Sequence, residues 1–269
     1  MTVPYAEVIG DPIAHSKSPT IHRFWLRQMG LVGDYRATRV RPEELGDYLR
    51  ERREDPDWRG CNVTMPCKQA IAGQLETIDP IARRIGAVNT VINHSAGLLM
   101  GTNTDFQGAH FALEDSPVAG KKVVLLGAGG AASAVLEELR QAGASHVTIL
   151  NRREEKAREL LDRFGLEGAI GPIGGAPAAD LLINATPLGM EGHPAIDLDL
   201  SALHSGATVF DLVYHPIETP LLAEARRRGF RTVDGLAMLI WQASMAFTYF
   251  FGEPPPDADS PELREALTL

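Results

Sequence analysis

The sequence predicts an α/β protein in two parts, a mixed α/β domain followed by a domain with a parallel sheet. Three observations carry that prediction. Short apolar runs of strand length alternate with segments bearing helix start and stop signals along most of the chain. A hairpin pattern closes the first hundred residues, so the first sheet is expected to be mixed. Near the middle, a glycine-rich turn stands between an apolar run and a helical pattern.

The elements follow in order. YAEVIG (5–10) reads as a strand ending in glycine, and SPTIHRFWLRQMG (18–30) as a helix. That helix is expected to have Ser18 as cap, Pro19 at its first position and Gly30 at its end. DYRATRV (34–40) is the next strand. RPEELGDYLRERRED (41–55) is a helix with Pro42 in its first turn, and GCNVT (60–64) a third strand. Pro66 is expected to open a helix, PCKQAIAGQL, which puts Lys68 in a first helical turn. GAVNTVIN (86–93) and GLLMGTNTD (97–105) form the hairpin, turning at Ser95-Ala96-Gly97. KKVVLLGAGGAASAVLEELRQAGASHVTILNRR (121–153) is strand, turn, helix and strand, with Gly143 as helix stop. Further βα units fall at 179–190, 207–216 and 230–235, and a closing helix at 236–252 is followed by prolines.

Composition narrows the function. The 269 residues suit one large domain or two modest ones, and 44 % hydrophobic with 23 % charged residues is ordinary for a soluble fold. No apolar run approaches the ~18 residues that cross a bilayer. MTVPYAEVIG has no basic stretch leading into an apolar core, so no secretory signal is expected and a cytoplasmic location is. The net charge of -9, without a basic patch, argues against nucleic acid as a partner. The two cysteines sit together in CNVTMPC (61–67), a spacing foreign to zinc sites, and are expected to be structural thiols rather than metal ligands. The chain is expected to act as a monomer or homodimer on a small molecule.

The turn Gly127-Ala128-Gly129-Gly130-Ala131-Ala132 has the spacing G-x-G-x-x-A, directly after VVLL and at the start of a helix. That is the Rossmann context for a dinucleotide: glycines admit the pyrophosphate and the helix N-terminus supplies donors. At the end of the second strand, where NAD usually meets an acid, the chain reads Asn151-Arg152-Arg153. Two guanidiniums favour a 2′-phosphate, so NADP(H) is the expected cofactor, with Arg152 as its main phosphate contact.

Polar residues also cluster where strands of the first domain end or helices begin: Ser16 and Ser18; Asn62, Thr64 and Lys68; Asn89 and Thr90; Asn103 and Asp105. Carboxyl ends of strands form ligand crevices in open α/β sheets, and such side chains fit a hydroxylated ligand. A lysine with a carboxylate partner suits hydride delivery to a ketone, because an ammonium can protonate the nascent alkoxide.

The motifs GDPIAHSKSP (10–19), NVTMPCK (62–68), GAVNT (86–90), NTD (103–105), GAGGAA (127–132), NRR (151–153), NATPLGM (184–190), DLVYHPIETPLL (211–222) and DGLAMLIWQA (234–243) together resemble the shikimate dehydrogenases. The resemblance covers nearly the whole chain and implies reversible reduction of 3-dehydroshikimate to shikimate with NADPH, in aromatic amino-acid biosynthesis. It implies a substrate domain of residues 1–105 with 236–269, a Rossmann domain of 106–235, and a cleft between them. By motif position, Ser16 and Ser18 would bind the substrate carboxylate with Tyr214 near it, and Thr64, Asn89, Asp105 and Gln242 the hydroxyls. Lys68 would be the acid/base and Asp105 its partner. Gly127, Ala128, Gly129, Gly130 and Ala131 would line the pyrophosphate; Asn151, Arg152 and Arg153 the adenosine phosphate; Thr186, Leu212 and Gly235 the path toward nicotinamide. Phe106, Arg23 and Cys67 depart from common family residues, and two alternatives stay open: a quinate/shikimate dehydrogenase of broader substrate or cofactor range, and a non-catalytic NADP-binding sensor.

Overall fold

The computed structural model describes residues 3–94 and 97–268; Ser95 and Ala96 of the expected hairpin turn lie outside them. The chain divides into two compact units, Met1–Thr104 with Ile240–Leu269, and Asp105–Leu239.

The first unit runs β1 (Tyr5–Gly10), α1 (Ser18–Gln28), β2 (Asp34–Arg39), α2 (Leu45–Arg53), β3 (Trp58–Val63), β4 (Thr77–Ile78), α3 (Pro80–Ile85), β5 (Thr90–Asn93) and β6 (Leu99–Thr102). Its sheet has the order β2-β1-β3-β5-β6-β4. Strand β1 pairs in parallel with β2 and β3, and β4 in parallel with β6, while β5 is antiparallel to both β3 and β6. The expected mixed sheet is therefore present, and β5 is the strand that makes it mixed. The carboxyl ends of β1, β3 and β6 and the amino end of β5 consequently fall along one sheet edge. Alternate residues of β1 serve two cores. Tyr5 and Ile9 pack with Leu45, Trp58, Val91 and Leu99, and Ala6 and Val8 with Tyr35, Ala246 and Phe250.

Three local expectations are corrected. Ser18 does not cap α1: Lys17 holds the N-cap position without a side-chain bond, and Ser18 is the first helical residue. A turn that bonds Ser16 N–H to the Ile13 carbonyl starts the coil earlier, and Ser16 Oγ accepts from Ser18 N–H at 3.3 Å. The segment 41–55 is a 3₁₀ turn, Pro42–Glu44, leading into α2. Pro66 opens no α-helix. Residues 65–69 form turns and Ala70–Gln74 a 3₁₀ helix. The stretch between Thr64 and extended Leu75 is short, and burying Cys67 and Ile71 against the sheet rewards tight i→i+3 turns, such as Cys67 N–H to the Thr64 carbonyl, over a costly α nucleus. Lys68 thus sits in a turn and not in the first turn of an α-helix.

The second unit runs α4 (Asp105–Ala112), β7 (Lys122–Leu126), α5 (Gly130–Gln141), β8 (His146–Leu150), α6 (Glu154–Phe164), β9 (Gly168–Gly171), β10 (Leu181–Asn184), β11 (Thr208–Asp211), α7 (Pro220–Arg227) and β12 (Arg231–Val233). Next come α8 (Gly235–Phe251), within which the division into units falls, and α9 (Pro261–Thr268). Helices α3, α4, α6 and α9 and the short strands β4 and β9 are additional to the expected elements. The second sheet is parallel throughout, in the order β12-β11-β10-β7-β8-β9. That is the doubly wound Rossmann order, whose direction reverses at β7. Its strands read as unbroken apolar runs because both faces are covered: Val123 and Leu125 enter one core, Val124 and Leu126 the other.

One charged group lies inside the first unit. Glu7 of β1 is 1 % exposed, on the Tyr5 face. It accepts from Tyr48 Oη at 2.9 Å, from Arg52 Nε at 2.6 Å and from the Thr38 hydroxyl, so it ties β1 to both β2 and α2. Glu7→Ala strands these donors and is expected to lower stability by about 2–4 kcal/mol, short of the usual cost of a broken buried pair because Arg52 keeps some water contact. Urea unfolding of variant and parent checks this; a difference under about 0.5 kcal/mol would show that the network contributes nothing.

Candidate active site

In the first unit the polar side chains expected at strand ends do meet. Asn89 precedes β5, where its carbonyl accepts from Val63 N–H at 2.7 Å and its N–H donates to the Thr102 carbonyl at 3.1 Å. Its side chain is 2 % exposed and bonded on both ends: Oδ1 accepts from Thr104 N–H at 2.7 Å and from Thr90 Oγ1 at 2.9 Å, and Nδ2 donates to Thr104 Oγ1 at 3.1 Å. Thr104 Oγ1 reaches Gln242 Oε1 of α8 at 3.4 Å. Asn62, at the end of β3, donates from Nδ2 to Thr90 Oγ1 at 3.0 Å. Asn103 is turned away, donating to the Ala87 carbonyl at 2.9 Å.

Lys68 is fixed to the same edge through its backbone, since its carbonyl accepts from Val88 N–H at 2.8 Å, one residue before Asn89. Thr64 N–H donates to the Ile9 carbonyl, and the chain here passes so near β1 that a Cβ on Gly10 would lie 2.6 Å from Thr64 Cγ2. Ser16 and Ser18 follow β1, with Ser18 buried. Ser16, Ser18, Thr64 and Asn89 lie beside strand ends or a helix start as expected, whereas Lys68 lies in a turn and not in the helix expected after Pro66. Sequence reasoning missed Thr104, which sits inside the NTD motif without being singled out, and Tyr35, which lies in none of the motifs.

The two cysteines and His22 are buried beside this edge. Cys61 and Cys67 are fully buried, burial pushes both thiols up, and Cys67 Sγ donates to the Val40 carbonyl at 3.3 Å. His22 is stacked on Tyr35 at 3.8 Å between centroids, and burial lowers its pKa to about 3, so the ring is neutral. Arg23, one of the departures from the family pattern, pairs with Asp34 at 3.0 Å on the surface.

In the second unit the glycine-rich turn leaves β7 at the switch point. Gly127 has φ +99°, and a Cβ there would lie 2.9 Å from Thr186 Cγ2 and 3.0 Å from the Ala185 carbonyl, so only glycine lets the two loops touch. Gly129 and Gly130 are exposed, with open space where their side chains would be. Helix α5 starts there without a side-chain cap and without an acid in its first turn. Its first N–H groups therefore have no side-chain acceptor and present a positive end. This suits a pyrophosphate, so the residues present fit a dinucleotide. Asn151, next to β8, donates from Nδ2 to the Arg153 carbonyl at 2.8 Å and shapes the turn that carries Arg152 and Arg153. Both arginines are exposed, and among the described residues neither is held in an ion pair.

A second buried network supports this edge. Asn184 Oδ1 accepts from Thr186 N–H at 3.0 Å and Thr186 Oγ1 at 2.6 Å, while Nδ2 donates to Asp211 Oδ1 at 2.8 Å. Asp211 also accepts from Val213 N–H and from Thr219 Oγ1, the α7 cap, and its own burial raises its pKa. Leu212 is bound to β10 through its N–H, and a Cβ on Gly235 would lie 2.4 Å from the Leu212 carbonyl oxygen. The structure thus brings Gly127, Thr186, Leu212 and Gly235 to neighbouring loops. Asn184 and Asp211 were legible only as polar residues closing apolar strands. Asp105 opens α4. Tyr214 follows β11, with its phenol pKa raised by burial, and His215 pairs with Glu191 at 2.5 Å on the surface.

Comparison with known proteins agrees with this arrangement. Residues 8–91 match the shikimate dehydrogenase substrate binding domain, and residues 110–186 match shikimate / quinate 5-dehydrogenase. A shikimate dehydrogenase (NADP(+)) of Sphingopyxis alaskensis is 51 % identical over 98 % of this chain and 97 % of its own. The crystal structure of shikimate 5-dehydrogenase from Thermus thermophilus, in complex with NADP(H) and shikimate, has a TM-score of 0.87 and 38 % identity, covering 98 % of both chains. The ligand-free 5-ketofructose reductase of Gluconobacter sp. strain CHM43 has a TM-score of 0.91 and 31 % identity, covering 99 % of this chain and 98 % of that one. With two buried polar networks at strand ends and relatives that span the chain from end to end, the protein belongs to the shikimate dehydrogenase family.

Proposed function

We propose that this protein is an NADP-dependent shikimate dehydrogenase, reversibly reducing 3-dehydroshikimate to shikimate. The observation that carries the reading is the row of bonded amides and hydroxyls along one edge of the first sheet, with Lys68 anchored beside it through Val88. A hydroxylated cyclic acid is the kind of ligand such a row recognises. Ser16 and Ser18 take its carboxylate, with Tyr214 assigned near it, and Thr64, Asn89, Asp105 and Gln242 take its hydroxyls.

The dinucleotide, when bound, supplies or accepts a hydride. Gly127, Ala128, Gly129, Gly130 and Ala131 hold its pyrophosphate at the α5 N-terminus, Asn151, Arg152 and Arg153 its adenosine phosphate, and Thr186, Leu212 and Gly235 the stretch toward nicotinamide. Lys68 gives a proton to the substrate oxygen as the carbonyl is reduced and takes it back from the alcohol in the reverse direction. Asp105 is assigned as the carboxylate that supports the lysine.

A panel of shikimate and quinate, each with NADP and NAD, tests the whole reading. Turnover is expected to be highest with shikimate and NADP; equal use of quinate, or a preference for NAD, would overturn it. Lys68→Ala is expected to lower kcat by about 10²–10⁴-fold with KM little changed, and a loss below about fivefold would remove the lysine from the proton step. Arg152→Ala is expected to raise KM for NADP by about ten- to a hundredfold, as for a lost charged hydrogen bond, and to leave KM for NAD within about twofold. Equal effects on the two cofactors would show that Arg152 does not read the 2′-phosphate.

A further inference from the structure

One buried aromatic with no role so far touches the substrate row. Tyr35 of β2 is 0 % exposed, and its ring is held face to face on His22. Its hydroxyl donates to Asn62 Oδ1 at 2.6 Å. Asn62 in turn donates to Thr90 Oγ1 at 3.0 Å, so the phenol is joined to the network that holds Asn89, a residue assigned to the substrate hydroxyls.

The polarity of that arrangement is forced. Amides and hydroxyls can each reverse, but backbone groups cannot. Asn62 Nδ2 faces the Asn89 carbonyl at 3.3 Å, and Asn89 Oδ1 faces Thr104 N–H at 2.7 Å. Both amides are thereby oriented by the backbone. Asn62 must turn its oxygen to Tyr35, and only a donor can meet it there. From that bond the donors run one way. Asn62 Nδ2 donates to Thr90 Oγ1, Thr90 Oγ1 to Asn89 Oδ1, and Asn89 Nδ2 to Thr104 Oγ1.

We propose that Tyr35 is a positioning residue for substrate binding: its hydroxyl fixes Asn62, and through Asn62 and Thr90 the orientation of Asn89. This rests on the assignment of Ser18 and Asn89 to the substrate. Tyr35 touches no reacting group, so its removal acts on binding and leaves the proton and hydride steps alone.

Tyr35→Phe tests this, because it keeps the ring stacked on His22 and removes only the hydroxyl. The shikimate KM is expected to rise about five- to tenfold, the scale of one positioned hydrogen bond, with kcat and the NADP KM within about twofold of the parent. If Tyr35 acts through Asn62, the effects of Tyr35→Phe and Asn62→Ala on the shikimate KM are non-additive in the double variant. Ser18→Ala separates the two readings. If it raises the shikimate KM while Tyr35→Phe does not, the positioning role of Tyr35 is overturned and the substrate assignment stands. If neither moves it, both fall. An equal rise in the shikimate and NADP KM values, or additivity in the double variant, also overturns the proposal, because it marks a general loss of structure.

Discussion

Strand β5 runs against its neighbours, and that reversal decides what the first sheet can present. If the sheet were parallel throughout, the residue before β5 would lie at the opposite edge from the ends of β1, β3 and β6. Because β5 is antiparallel, Asn89 arrives at the edge where Ser16, Thr64 and Thr104 also emerge. Its backbone is paired on both sides, to Val63 and to Thr102, so the side chain starts from a rigid position. A buried amide at such a place must be satisfied or it destabilises the fold. Thr90, Thr104 and Asn62 satisfy it, and the same bonds that relieve the folding penalty hold the groups assigned to substrate in one orientation.

The second unit reaches a comparable solution with different residues. Its edge lies at the strand reversal of a doubly wound sheet, where Asn184 and Asp211 end neighbouring strands. The Asp211 carboxylate is costly to bury, which is why its pKa rises, and its bonds to Asn184, Val213 and Thr219 offset part of that cost. Those bonds fix the Thr186 loop and the start of α7. In both units a polar residue that ends or adjoins an apolar strand acts as a hub for loops, so the precision of each half rests on regular secondary structure rather than on loop residues alone.

The parts of the fold legible in the sequence are those decided locally. The run VVLL, the turn GAGGAA and the strand before NRR carry their own strand, turn and helix signals, and the structure follows them. The start of α1 and the segment after Pro66 were misread because the deciding contacts are elsewhere: Ser16 accepts the Ser18 N–H, and burial of Cys67 and Ile71 against the first sheet outweighs the helix signal of a proline. The residues assigned to the site by motif position were likewise found from local sequence alone. Tyr35 was not, since DYRATR reads only as a strand and its partner Asn62 is 27 residues away. The one-way course of donors depends on sheet register, which periodicity alone does not reveal.

This division bears on how substrate preference is set. A reductase named for 5-ketofructose shares this backbone closely, so the sheet by itself does not select the ketone. Selection then falls to which side chains occupy the edge and which way their amides and hydroxyls point. A row with fixed polarity rejects a ligand in two ways, by failing to pair a substrate hydroxyl and by leaving one of its own buried groups unpaired. Mobile side chains would lose the second penalty. The more firmly Asn89 and Gln242 are held from behind, the larger the discrimination that one misplaced hydroxyl on the ligand produces. Residues outside the substrate's reach, such as Asn62 and Tyr35, can therefore contribute to specificity without a contact of their own.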